Sequence, residues 1–356
     1  MNALFFWEKA GGLTLEHKCN PYGPLLALAM AKKGVHLELG DYAFEKAYLE
    51  KKRETYAVLH INWLHHFYRA EDLQTGVTRL NDFVEKLNFA KHLGYRIVWT
   101  MHNFYPHERP FPELDHLAQL SMCRLADHVV AHCGYAAELA RKHFYRLKNL
   151  HVIPHGNYID AYPLEMSRAD ARAALGIADD AFVYVFVGNA RPYKGIERLI
   201  EAFDQVADEK SVLLLMMRSG LNPVYAQEIQ AKVQDHDRIL AFASSFFERD
   251  EFQTYLNAAD VAVLPFVDVL TSGSALLALS FGKPVILPHI GCLPEVVDQT
   301  MGHLFDAKAS RGLQAAMLAI RKRDIDALSH CAYERAKSLH WDGIAERLAV
   351  LYRGGL

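Results

Sequence analysis

Phe186-Val-Gly-Asn-Ala-Arg191-Pro-Tyr-Lys194-Gly-Ile-Glu-Arg-Leu-Ile200 decides the fold, together with a second stretch at 260–297. That stretch reads Ala259-Asp-Val-Ala-Val-Leu-Pro-Phe266, then Val267-Asp-Val-Leu-Thr271-Ser272-Gly273-Ser274-Ala-Leu-Leu-Ala-Leu279, then Gly282-Lys-Pro-Val-Ile-Leu-Pro288. Each begins as an apolar strand, passes into a polar loop and opens a helix. The first loop offers the cations Arg191 and Lys194. The second offers Thr271-Ser272-Gly273-Ser274, small residues whose backbone N–H groups stay accessible at a helix start. Unsatisfied N–H groups and the positive end of the helix dipole favour anions there. Arginine clamps two oxygens, and lysine adds a point charge. Facing each other, the two loops would hold a diphosphate.

Outward from these stretches, short apolar runs alternate with helical patterns, which predicts parallel sheets flanked by helices. The first half is expected to hold strands at 3–7, 35–39, 58–62, 96–101, 128–132 and 150–153, with helices at 24–33 and 76–93. The second half is expected to hold strands at 182–187, 212–218, 238–242, 261–265 and 284–287. Its helices are expected at 194–208, 222–235, 249–258, 273–281, 310–322 and 341–353. Ser167 to Gly176 reads as a short capped helix. The fold class is α/β: two Rossmann-like, doubly wound domains facing a cleft, with ligand at the strand C-termini. The expected domains are 1–163 with a returning helix at 341–356, and 164–340, around a hinge near 160–166.

Bulk properties bound the function. The chain has 356 residues, 51% hydrophobic and 23% charged, as in soluble globular proteins. A net charge of −3 gives no basic field to recruit nucleic acid. No signal-peptide pattern opens the chain, and no run of about 18 apolar residues exists. Five cysteines, an odd number with no Cys-x-x-Cys pair, suit a reducing cytoplasm. No Gly-x-Gly-x-x-Gly or Gly-x-x-x-x-Gly-Lys-Ser/Thr run is present, so dinucleotide oxidoreductases and P-loop hydrolases lack their fingerprints.

The motif order resembles a known family. Gly188-x-x-Arg-Pro-Tyr-Lys-Gly195, Ala259-Asp-Val-x-x-Leu-Pro265, Ser272-Gly-Ser274, Gly282-Lys-Pro-Val285 and Gly291-Cys-Leu-Pro-Glu-Val-Val297 look like the donor domain of glycosyltransferase family 4, of the GT-B fold. Thr100-Met-His-Asn103, Val152-Ile-Pro-His-Gly156 and Trp341-Asp342 extend the resemblance along most of the chain. It implies a metal-independent hexosyltransferase that takes a sugar from a nucleotide diphosphate. GDP-mannose is weakly favoured and a UDP-sugar comes next. The acceptor would be a saccharide or lipid-linked saccharide, in cell-surface or exopolysaccharide synthesis. No cofactor is expected, because the nucleotide sugar is a substrate, and no metal is expected, because no Asp-x-Asp motif occurs.

One departure marks a divergent subgroup. The family's two glutamates, eight positions apart, fall here on Val269 and Leu277, and its arginine sits two residues late, at Arg191. Asp268 is the candidate for the lost sugar contact, and the ribose contact at Leu277 has no evident owner. Retaining and inverting stereochemistry both stay open. The expected donor residues are Arg191, Lys194, Asp268, Thr271, Ser272, Gly273, Ser274 and Glu295. Glu295 reads alternatively as a helix-start carboxylate.

In the first half, His102 and Asn103 end a strand, and His107 and Glu108 follow in its loop. The resemblance implies that the histidine of this pair faces the donor sugar. His102, Asn103 and Glu108 are the catalytic candidates, with a sheet-capping histidine as the alternative. Asn20, Tyr22, Trp63, His65 and His107 are the acceptor candidates. Against these stand a plain turn at 20–24 and a core role for Trp63. Residues 45–56 mix basic and aromatic side chains. They suit either a solvated helix face or a peripheral contact with the inner membrane surface. Two other functions fit the same features: a nucleotide-sugar epimerase of this fold, and a non-catalytic sugar-nucleotide or glycan-binding subunit.

Overall fold

The computed structural model describes residues 1–9 and 12–355. They form two compact units, 1–155 with 340–356 and 156–339. The first holds β1 (Asn2–Phe6), β2 (His36–Leu39), β3 (Val58–Ile61), β4 (Arg96–Met101), β5 (His128–Ala131) and β6 (Leu150–Val152). The second holds β7 (Phe182–Asn189), β8 (Ser211–Arg218), β9 (Ile239–Ser244), β10 (Val261–Val263), β11 (Val285–Pro288) and β12 (Gly302–Phe305).

Each unit is built on one all-parallel sheet. The first runs β2-β1-β3-β4-β5-β6, and the second runs β12-β11-β10-β7-β8-β9. Helices cover both faces of such sheets, so the central strands are apolar throughout rather than alternating. Val183 to Val187 and Leu213 to Met217 are buried without a break. The strand order reverses between β1 and β3 in one sheet and between β10 and β7 in the other. At such points the flanking loops part and leave a crevice at the strand C-termini.

All eleven expected strands form. β12 was not expected: it is a four-residue edge strand whose His303 and Leu304 are only half-buried. Helices Pro112–Leu125, Gly134–Phe144 and Ile325–Ser338 were also not read from the sequence. The short helix Arg168–Leu175 forms as expected, with Ser167 Oγ accepting from Asp170 N and Gly176 left-handed at its end.

The helix Trp341–Arg353 returns to the first unit. Its Tyr352 hydroxyl bonds buried His60, and Arg96 donates to the Tyr352 carbonyl. Lys32 and Asp342 form an ion pair there. Before this return, the chain divides at 155/156, where the expectation was 163/164. Asn157 Nδ2 donates to the Ala336 carbonyl at 2.8 Å, and Tyr158 N donates to Ser280 Oγ at 2.9 Å. Both partners belong to the second unit.

The helix Lys46–Arg53 buries Leu49, and its lysines find carboxylates: Lys46 pairs with Glu85 and Lys52 with Glu38. No helix among the described residues is long and apolar enough to cross a membrane.

Candidate active site

In the second unit, β7 and β10 are paired and mark the switch point. After β7 the chain makes a turn at Pro192–Lys194 and starts the helix Ile196–Val206. After β10 it loops to the helix Gly273–Ser280. The two loops hold each other: Val267 N donates to the Tyr193 carbonyl at 2.9 Å. Gly195 takes a positive φ of 71°, and a Cβ there would come within 2.3 Å of the Pro265 carbonyl oxygen, so only glycine fits.

Lys194 is brought inward by this turn. It is 8% exposed, and its ammonium lies over the rings of Phe266 at 4.6 Å and Tyr193 at 5.2 Å. Among the described residues no carboxylate pairs with it. Burial, then the charge of Arg191, lowers its pKa to about 8. A buried ammonium without a counter-charge is costly unless a ligand supplies one. The aromatic faces offset part of that cost.

Ser272 caps the facing helix, its Oγ accepting from Ala275 N at 3.1 Å. Ser272 is buried, while Thr271, Gly273 and Ser274 are half-buried. At Gly188 a Cβ would lie 2.9 Å from Ser274 Oγ and 4.0 Å from Lys194 Cε. The end of β7, the lysine and the helix N-terminus therefore converge. Arg191, half-buried, opens the Pro192–Lys194 turn. Asp268 and Glu295 are exposed. Glu295 lies in the short helix Leu293–Val296, and its carbonyl accepts from Arg335 at 2.9 Å. The sequence reading quoted Gly188 and Phe266 in its motifs but gave neither a place in the site. Neither is charged, and each matters only through its neighbours.

In the first unit, His102 follows β4 and is 5% exposed. Its ring stacks on Trp63 at 4.7 Å and meets Trp7 and Tyr22 at 5.4 and 4.9 Å. Its Nε2 faces Asn62 Oδ1 at 2.9 Å, and its Nδ1 faces His132 Nε2 at 3.2 Å. Burial first, then the neighbouring His132, His155 and His60, holds its pKa well below the ordinary histidine value. Trp63 is half-buried in this aromatic group. Tyr22 is fully buried in it, against Trp7, His102, His155 and Trp341. Asn20 Oδ1 accepts from Tyr22 N at 3.0 Å. Gly23 gives room to Trp7, since a Cβ there would lie 2.6 Å from the indole. His65 packs on His66 at 4.3 Å. Asn103 is half-buried, whereas His107 and Glu108 are exposed and Arg69 binds Glu108 through its carbonyl and carboxylate. Asn62 and His132 were not singled out by sequence.

Comparison with known proteins agrees with this fold. A family model for glycosyl transferases group 1 matches residues 181–323, and one for glycosyltransferase family 4 matches residues 78–159. A D-inositol 3-phosphate glycosyltransferase of Xylanimonas cellulosilytica is 27% identical over 283 residues, covering 74% of this chain and 67% of that protein. A lipopolysaccharide 1,2-N-acetylglucosaminetransferase of Salmonella typhimurium is 28% identical over 213 residues, covering 55% and 54%. The chain spans 43 to 67% of the length of the first curated relatives. Among solved structures, sucrose-phosphate synthase of Thermosynechococcus elongatus has a TM-score of 0.77 at 19% identity, covering 99% of this chain and 98% of that one. Anabaena HepE in complex with UDP-glucose has a TM-score of 0.74 at 16% identity, covering 99% and 100%. At these identities the structural likeness speaks for the GT-B fold alone.

Proposed function

From its matches to family models for glycosyl transferases group 1 and glycosyltransferase family 4, on the GT-B fold, we propose that this chain moves a hexose from a nucleotide diphosphate sugar to a saccharide or lipid-linked saccharide acceptor. The observation that carries the reading is Lys194, buried without a carboxylate beside Arg191 and the N-terminus of Gly273–Ser280. A diphosphate supplies the missing counter-charge. As the sugar leaves, negative charge grows on that diphosphate, and the same groups stabilise it without a metal. At pH 7 Lys194 keeps most of its protons, given a pKa of about 8.

Both ring nitrogens of His102 are held within the first unit, by Asn62 Oδ1 and His132 Nε2. A ring whose basicity is suppressed by burial is a poor general base. That favours transfer with retention, in which the departing phosphate takes the acceptor proton. The donor is a hexose nucleotide. The Salmonella relative is named for N-acetylglucosamine and HepE was solved with UDP-glucose, which support a UDP-sugar. The Arg191-Pro-Tyr-Lys194 pattern leans to GDP-mannose. Synthesis of a cell-surface glycan fits the Salmonella relative, which is named for lipopolysaccharide.

Incubation with UDP-glucose, UDP-N-acetylglucosamine and GDP-mannose, with nucleotide release and product anomer read by NMR, tests the proposal. Release of nucleotide with a new glycosidic bond supports it. Interconversion of the donor sugar means an epimerase. Binding with neither outcome, across acceptors, means a sugar-nucleotide-binding subunit.

A further inference from the structure

Two large apolar side chains stand in water at one loop of the first unit. The helix Gly134–Phe144 ends there, and the chain passes through Tyr145-Arg-Leu-Lys-Asn149 into β6. Tyr145 is 76% exposed and Leu147 is 75% exposed, the highest values of any large apolar side chain among the described residues. A lone exposed leucine means little, but this pair is presented by a built loop. Arg146, between them, is tied to the body of the unit. Its Nη1 donates to the carbonyls of Cys123 and Ala126 at 2.8 and 2.9 Å, and its Nη2 donates to those of Asp127 and Asn149 at 2.8 and 3.3 Å. The residues on either side of it are left outward.

The tyrosine runs against its own backbone. Tyr145 caps the helix in the left-handed conformation, with φ 54° and ψ 31°. Glycine usually fills this place at a helix end, because it has no Cβ to clash, and a bulky residue there is uncommon. Asn149 closes the loop with a second positive φ, of 50°. The chain thus carries an aromatic side chain where the backbone calls for glycine, and the fold leaves its ring in water.

The charges around the pair are mostly of one sign. Arg141, Lys142 and Lys148 are exposed, as is Arg124, next to the Cys123 carbonyl that Arg146 holds. Arg141 meets Glu138 at 3.4 Å, and the nearby Asp127 is taken by Lys91 at 2.8 Å. Arg124, Lys142 and Lys148 pair with no carboxylate among the described residues. The whole chain carries −3, so this cationic rim is local. By contrast, Lys46 and Lys52 of the helix Lys46–Arg53 are paired within the fold.

An aromatic ring and a leucine at a loop tip, rimmed by unpaired cations, match the surface of an anionic bilayer. Tyrosine favours the headgroup level, leucine the acyl boundary, and lysine and arginine the lipid phosphates. A second copy of the chain fits less well, because two cationic rims would meet face to face. We propose that the loop Tyr145–Asn149 docks the first unit on an anionic membrane surface, with Tyr145 and Leu147 in the interface and Arg124, Lys142 and Lys148 on the headgroups. Of the two acceptors named above this favours the lipid-linked one, and to that extent it rests on that reading. The contact itself needs neither donor nor transfer.

Flotation of the full chain with vesicles of phosphatidylcholine containing phosphatidylglycerol, against phosphatidylcholine alone, tests the proposal. Binding to the anionic vesicles only, weakening as salt is raised, is expected. Lys142→Gln and Lys148→Gln should each weaken it by roughly fivefold, the typical contribution of one cation at such a surface. Tyr145→Gly combined with Leu147→Ser should weaken it by roughly tenfold or more. That variant should still melt cooperatively, since both side chains are exposed and glycine suits the left-handed position. A wild type that ignores anionic vesicles overturns the proposal and leaves the donor reading standing. Undiminished binding in the Tyr145→Gly, Leu147→Ser variant overturns it as well and places the contact elsewhere. A concentration-dependent dimer in sedimentation that this variant abolishes, without vesicle binding, means that the loop meets a second copy instead. If anionic vesicles bind and no nucleotide sugar does, the donor reading fails while the contact stands.

Discussion

Gly188 and Ser274 stand so close that a Cβ added to the glycine would lie 2.9 Å from the serine Oγ. One ends the first strand of the second unit and the other opens a helix 86 residues later in the chain (274 − 188). Gly188→Ala is expected to push the helix N-terminus off its place. The cost should be about 1–3 kcal/mol in stability. Loss of nucleotide-sugar affinity should exceed what the lower stability explains. Thermal melts with and without ligand separate the two effects, and an Ala variant with full affinity and stability would show that the approach has slack.

The depressed pKa of Lys194 gives donor binding a pH signature. The folded value of about 8 lies below the unfolded value of 10.5, so the folded protein loses the proton first. Below pH 8 the ammonium is present and binds the diphosphate. As pH rises through about 8 affinity should fall, by roughly tenfold near pH 9, because the bound anion favours the charged form. The sign for stability is opposite. Without ligand, the penalty for burying the ammonium is in force below pH 8 and is relieved between about 8 and 10.5. Lys194→Gln should bind weakly with no such slope. A wild-type affinity that is flat from pH 7 to 9.5 would contradict this.

The family resemblance implies that His102 serves the chemistry rather than nucleotide affinity. His102→Ala is expected to lower kcat by about 10²-fold or more, a typical size for losing a positioned acid–base or hydrogen-bonding group. The Kd for the nucleotide alone should move far less. Steady-state kinetics alongside calorimetry with UDP or GDP checks the split, and full transfer activity would return His102 to a structural role.

The returning helix is fastened by a buried polar contact. His60 uses Nε2 with Thr100 Oγ1 at 2.7 Å and Nδ1 with the Tyr352 hydroxyl. Tyr352→Phe leaves one buried ring nitrogen without a partner, at a cost of about 1–3 kcal/mol. A lowered thermal midpoint is expected, with nucleotide affinity unchanged. An unchanged midpoint would mean that His60 finds another partner.

The strand series was legible in the sequence because buried parallel strands are continuous apolar runs. β12 escaped because an edge strand of four residues, Gly302-His-Leu-Phe305, is too short and too polar to stand out. The helix Ile325–Ser338 buries only Leu328, Ala332 and Ala336, mostly small residues that leave a faint stripe. Arg191, Lys194 and Ser272–Ser274 were legible because each follows a strand in a recognisable motif. The line from Asn62 through His102 and His132 was not. Its members lie 40 and 30 residues apart, and only the parallel register of β3, β4 and β5 aligns them. Likewise Gly188 becomes meaningful only once Ser274 is beside it.

The central claim is that the donor diphosphate is held by Lys194 and Arg191 at the N-terminus of the helix Gly273–Ser280. The most direct measurement is the Kd of the preferred nucleotide sugar, by calorimetry at pH 7, for the wild type, Lys194→Ala and Arg191→Ala. Losing one charged hydrogen bond to a ligand costs about 1.5–3 kcal/mol, so each variant should bind roughly ten- to hundredfold more weakly while melting cooperatively. Both variants binding with wild-type affinity would contradict the account and place the nucleotide elsewhere.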